Sequence, residues 1–110
     1  MAVDWDHNAW YHRLLLRHVP PGSARVLEVG CGAGQLAGRL ARRAVQVDAV
    51  ERDPAMVALA RGSAPGNLTV LQDDVLTVDL PAGAYDAVVS LSALHPVSYT
   101  HLTLPTILRV

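Results

Sequence analysis

Val26-Leu27-Glu28-Val29-Gly30-Cys31-Gly32-Ala33-Gly34 decides how this 110-residue chain is read. A short apolar run ends in three glycines within five positions, and a helical pattern through Leu36, Leu40 and Ala44 follows. The order is strand, glycine turn, helix. Downstream, Val45 to Val50 reads as a second strand. Asp53-Pro54 then offers an N-cap with proline at the first helical position. The helix it opens runs to about Arg61, with Met56, Leu59 and Ala60 on its apolar face, before Gly62, Pro65 and Gly66 break the pattern. Leu68 to Leu71 is a third strand and Tyr85 to Ser90 a fourth. Upstream, Tyr11, Leu14, Leu15 and His18 share one helical face in a segment that Asp6 could cap and Pro20-Pro21-Gly22 ends. Short strands alternating with helices predict an α/β domain, a parallel sheet with helices on its faces and right-handed crossovers.

Composition narrows the class. With 51% hydrophobic and 17% charged residues the chain is expected to fold as one soluble globular domain or part of one. Nine basic and ten acidic residues leave a net charge of -1, which gives no electrostatic reason to expect nucleic acid or a membrane as partner. The single cysteine, Cys31, rules out an internal disulfide framework, and a reducing cytoplasm is the default location. No export signal is read at the N-terminus and no run of ~18 apolar residues occurs. The five histidines show no metal-ligand spacing; His7 and His12 are five apart, awkward for one helical face, so no metal is expected.

A glycine turn at the carboxyl end of the first strand brings backbone close to a ligand, and a nucleoside is the expected class. A dinucleotide fingerprint places its third small residue at the sixth position from Gly30, which here is Gln35; the third glycine, Gly34, comes one place early. The Glu28 carboxylate would repel a pyrophosphate and attract an ammonium group. Both features disfavour a nicotinamide dinucleotide. Glu51, 21 residues after Gly30, stands where an acid accepts hydrogen bonds from ribose hydroxyls. Asp74, past the third strand, is placed to accept from an adenine amine, with the Val75 backbone N–H meeting a ring nitrogen; a one-residue shift would put Asp73 in that role instead.

Read together, these stretches resemble the class I S-adenosylmethionine-dependent methyltransferases. Residues 26–34 are similar to the family's first motif, Val47-Asp48-Ala49-Val50-Glu51-Arg52-Asp53-Pro54 to its acidic second motif, Leu71-Gln72-Asp73-Asp74-Val75 to its third and Tyr85-Asp86-Ala87-Val88-Val89-Ser90-Leu91 to its fourth. The opening Asp6-His7-Asn8-Ala9-Trp10-Tyr11-His12 is similar to the lead-in of bacterial members that act on small molecules. The resemblance implies a Rossmann-like sheet in the order 3-2-1-4 and S-adenosylmethionine as cofactor. It also implies cofactor contacts at Glu28, Gly30, Cys31, Gly32, Gly34, Glu51, Arg52, Asp74 and Val75. Methyl transfer to an acceptor, expected to be a small molecule, would follow by in-line substitution, with no catalytic residue assigned.

Blander readings compete at several of these positions. Glu28 could satisfy nearby backbone N–H groups, and Glu51 could be a solvated strand end. Cys31 reads as a packed residue rather than a nucleophile. Tyr11 could close over the cofactor or simply pack. His95, after the fourth strand, is a candidate general base or a loop histidine. A nonenzymatic nucleotide- or partner-binding module is the alternative function, ahead of a nicotinamide-dependent oxidoreductase.

The chain changes character after His95. All sixteen Ala precede Pro96, whereas residues 96–110 hold three of the five Thr and the only Ile. Val97-Ser98-Tyr99-Thr100-His101-Leu102-Thr103-Leu104-Pro105-Thr106 resembles a peptide translated from a sequencing adapter. The expected division is a partial methyltransferase domain over 1–95, truncated after its fourth strand with little turnover of its own, and a tail of separate origin over 96–110. That fourth strand would carry an open edge.

Overall fold

Val26, Leu27 and Val29, like Val47, Val50, Val88 and Val89, suit a strand buried on both faces. A computed structural model describes residues 13, 16–74, 77–80 and 83–90, with the backbone of 107–109. Its strands are β1 (Arg25–Val29), β2 (Gln46–Glu51), β3 (Leu68–Gln72), β4 (Ala87–Ser90) and β5 (Ile107–Arg109); its helices are α1 (Gln35–Leu40) and α2 (Pro54–Ser63). All strand pairs are parallel and the sheet order is β3-β2-β1-β4-β5. The first four strands therefore lie 3-2-1-4, as the motif order implies. Beyond them, the sheet does not end at β4: residues 107–109 pair with Val88 to Ser90, because the open edge offers unpaired N–H and C=O groups to any extended segment.

Among the described residues α1 and α2 pack on the same face of the sheet. The reason is topological. The crossovers from β1 to β2 and from β2 to β3 step the same way along the sheet, and right-handed connections then put both helices on the same side. Leu36, Ala37, Leu40, Val57 and Ala60 meet Val26, Val47, Ala49, Val70 and Val89 there. On the opposite face, Leu27, Val29, Val50 and Val88 are covered by Tyr85, with Leu71, Val78, Leu80 and Ala84 packed alongside.

α1 is shorter than its sequence pattern suggests, closing at Leu40 with Ala44 in the following turn. The Asn67 side-chain amide donates to the Ala41 and Ala44 carbonyls there, at 2.7 and 3.1 Å. α2 begins as its sequence dictates: Asp53 caps it by accepting from the Ala55 N–H at 2.9 Å, with Pro54 first in the helix. Its buried face is Val57 and Ala60, while Leu59 is 57% exposed, so the apolar stripe expected through Met56 and Leu59 is rotated toward Val57. The N-terminal helix lies mostly outside the described residues; Arg13 and Leu16 to His18 are helical.

At the amino ends of the strands sits a polar cluster that the motifs do not announce. Asp48, 3% exposed in the middle of β2, accepts from the Tyr85 hydroxyl at 2.7 Å, Arg25 Nε at 2.9 Å and Gln46 Nε2 at 3.0 Å. Burial pushes the Asp48 carboxyl up, but the bonds from Gln46, Tyr85 and Arg25 outweigh that and hold it below the usual range. Burial and the Asp48 bond push the Tyr85 hydroxyl up.

Candidate cofactor site

The site lies at the carboxyl ends of β1, β2 and β3, the place where open α/β sheets take their ligands. Gly30, Gly32 and Gly34 all have positive φ, at 71°, 55° and 89°. Gly30 N–H donates to the Val50 carbonyl at 2.8 Å and Cys31 N–H to the same oxygen at 3.3 Å, which ties the turn to the end of β2. The glycines then do different work. A Cβ on Gly32 would meet nothing within 4 Å, so the space above it is open. A Cβ on Gly34 would lie 3.1 Å from the Ala60 side chain; Gly34 is buried and lets α1 and α2 approach.

Glu51 folds its carboxylate back over this turn. Oε1 accepts from Gly32 N–H at 2.8 Å, and Oε2 from the Arg52 and Asp53 N–H groups at 2.9 and 3.0 Å. A carboxylate has about four acceptor positions, so one remains for a ligand hydroxyl without rearrangement. Asp74 stands at the tip of β3 with Oδ2 3.8 Å from Arg52 Nη1, linking two strand ends across the sheet. Neighbouring Asp73 is occupied differently: its N–H donates to the Glu51 carbonyl and its Oδ1 accepts from Asp74 N–H at 2.7 Å. Val75, Tyr11 and His95 lie outside the described residues.

Glu28 is buried. It is 1% exposed on the helix-covered face of β1, beneath the turn, and its Oε1 has no hydrogen-bond partner. Burial, partly offset by the Ala37 backbone N–H and reinforced by Glu51, pushes its carboxyl up to about 8. Burial, with Glu28 and Glu51 adding to it, likewise pushes the Cys31 thiol up to about 12; the residue is 8% exposed and packs as a small hydrophobe. Glu28 and Glu51 thus flank one turn, and Arg52, whose N–H donates to Glu51, brings its guanidinium within 3.8 Å of Asp74. Sequence reasoning did not find the Arg25–Asp48–Tyr85 cluster, although an acid in the middle of an apolar strand is itself the signal that a partner must exist.

Among the described residues no group of three or more His, Cys, Asp or Glu forms a metal-binding cluster, and no helix is long and apolar enough to cross a membrane.

The sequence and the fold both have counterparts among known proteins. The chain matches the family described as a methyltransferase domain over residues 26–110, and it belongs to that family, in its class I S-adenosylmethionine-dependent form. It is 43% identical over 107 residues to an uncharacterized methyltransferase of Mycobacterium tuberculosis, covering 94% of this chain and 53% of that protein. It is 49% identical over 67 residues to a probable ribosomal RNA small subunit methyltransferase A of Methanosarcina mazei, covering 59% of this chain and 24% of the relative. Among solved structures it resembles SAM-bound CalS10, an amino pentose methyltransferase from Micromonospora echinaspora, with 31% identity and a TM-score of 0.61, covering 84% of this chain and 44% of that one. The chain spans about half the length of the mycobacterial relative it matches.

Proposed function

We propose that the carboxyl ends of β1, β2 and β3 bind S-adenosylmethionine and that the protein transfers its methyl group to a small-molecule acceptor. In this reading Glu51 accepts from the ribose. Asp74 accepts from the adenine amine, with the Val75 backbone beside it and Arg52 along the nucleoside edge. Gly30, Cys31, Gly32 and Gly34 form the turn that carries the amino-acid part above Glu28. The observation that carries this is Gly32: its N–H is fastened to Glu51 at 2.8 Å while the space above its Cα is open. A turn built that way admits a ligand against bare backbone.

Bound there, the cofactor supplies an electrophilic methyl carbon. The chain's own contribution is placement: a rigid turn tied to β2 and an acid at the ribose hold the donor in one orientation, which is where much of the rate of such a displacement arises. No residue is assigned as general base. The amino pentose enzyme among the similar structures favours a small acceptor. We also propose that residues 1–95 carry the methyltransferase segment and that 96–110 are a tail of other origin, of which residues 107–109 pair with the β4 edge, on the strength of the composition change after His95.

Calorimetric titration with S-adenosylmethionine tests the site. We expect saturable binding, lost in Gly32→Arg, whose side chain would fill the open space; undiminished binding by that variant refutes the site. Labelled methyl transfer by the whole protein into separated metabolite and RNA pools tests the acceptor, and label confined to RNA would refute a small-molecule substrate.

A further inference from the structure

Two carboxyl groups flank the same turn and are solvated in opposite ways. Glu51 accepts three backbone N–H groups at 2.8 to 3.0 Å. Glu28, on the neighbouring strand, is 1% exposed and leaves Oε1 without a donor. The groups bearing on Glu28 can be named element by element. β2 contributes the Glu51 carboxylate, the turn contributes the Cys31 thiol, and α1 contributes the Ala37 backbone N–H. Its flanking partners in β2 and β4 are Ala49 and Val89. Among the described residues no cationic side chain contributes to its titration. Two carboxyl groups around one turn, one of them dry, do not both ionise readily unless a positive charge joins them.

We propose that Glu28 couples ligand charge to proton release: it holds a proton when no cation is bound and gives it to solvent when a ligand places an ammonium group on the glycine turn. The inference rests on the cofactor-site reading above and adds to it a device that favours cationic ligands. The chemistry is a single ionisation. The Glu28 O–H bond breaks, the proton passes to a buffer base, and the carboxylate left behind faces the ligand's ammonium across the turn. Burial pushes the Glu28 carboxyl up to about 8 without a cation, so the exchange falls near neutral pH. Apparent affinity for a cationic ligand then weakens by up to about tenfold for each pH unit below that point, because one proton must be displaced.

The test is calorimetry of the 110-residue chain at pH 7 in phosphate and in Tris, whose ionisation heats differ. The probes are S-adenosylhomocysteine, which has an ammonium group, and 5'-methylthioadenosine, which has none. We expect a buffer-dependent heat corresponding to release of most of one proton with the first and almost none with the second. Glu28→Gln, which keeps the shape of the neutral acid, is expected to bind the first without proton release. Binding of S-adenosylhomocysteine by the unmodified chain with no buffer dependence overturns the coupling and leaves the site standing; failure of both probes to bind overturns site and coupling together. A carbon-13 titration of the Glu28 carboxyl in the free chain gives a ligand-independent check. A midpoint near 8 supports the inference, and one below about 6 overturns it.

Discussion

The Glu51 carboxylate accepts the Gly32 amide at 2.8 Å, so the acid at the tip of β2 is tied directly to the open glycine of the β1 turn. A side chain that could have been a solvated strand end is committed to shaping the turn. Replacing it should therefore disturb two things together: the position of Gly32 and the acceptor proposed for a ribose. Glu51→Ala is expected to weaken S-adenosylmethionine binding by at least about tenfold, the scale of losing a charge-assisted hydrogen bond. Calorimetric affinity unchanged from the parent chain would contradict the ribose assignment.

Gly32 and Gly34 should separate stability from binding. Gly34→Ala meets the Ala60 side chain at 3.1 Å from a backbone with φ +89°, and is expected to destabilise the fold by about 2 kcal/mol. Gly32→Ala meets nothing within 4 Å and carries only the backbone strain of φ +55°, about 1 kcal/mol. Urea denaturation should rank Gly34→Ala as the less stable, while cofactor titration should rank Gly32→Ala as the weaker binder.

Asp48→Ala should damage the fold without touching the site, because the acid lies toward the amino ends of the strands. The change strands the Tyr85 hydroxyl and the Arg25 guanidinium, and a loss of about 2 to 3 kcal/mol is expected, moderated because the Arg25 side chain is 38% exposed. The folded-state titration of Asp48 lies below its ordinary range, so its contribution is present at neutral pH and disappears as pH falls through the folded value. Unfolding curves of parent and variant should converge in acid.

Glu28 predicts the opposite slope. Its folded value of about 8 lies above the ordinary 4.5, so between those values the folded chain binds more protons than the unfolded chain. The contribution of this group to stability is fully present below about 4.5 and declines as pH rises toward 8, by at most about 1.4 kcal/mol per pH unit. Glu28→Gln should remove that slope. A parent chain no less stable at pH 8 than at pH 5 after subtraction of the variant's curve would count against a protonated Glu28.

Along α2, Val57→Ala should cost about 1 to 2 kcal/mol and Leu59→Ala within about 0.5 kcal/mol, since Val57 is 2% and Leu59 57% exposed. Thermal unfolding of the two variants checks which face the helix buries.

Much of the site was legible because its parts are local. The turn of residues 30–34, the N-cap at Asp53 and the strand ending at Glu51 each follow from a few neighbouring residues whose chemistry permits little else. The α2 face was harder to read. Met56, Val57, Leu59 and Ala60 are all apolar, and periodicity favoured the face through Met56, Leu59 and Ala60, whereas packing in the cluster that holds Val70 and Ala49 buried Val57 with Ala60 instead. The Asp48 partners were illegible for a related reason: Arg25 and Tyr85 stand 23 and 37 residues away in the chain.

Residue type and short-range order by themselves determined the alternation of strands and helices, the glycine turn and the acids at the strand tips, because propensity, capping and glycine stereochemistry act over a few bonds. Tertiary structure decided that both described helices share one face, that Glu28 lies dry beneath the turn while Glu51 is wrapped in amides, and that Gly34 serves packing while Gly32 faces open space. Those outcomes depend on desolvation and on contacts between distant segments, which exist only once the sheet has assembled.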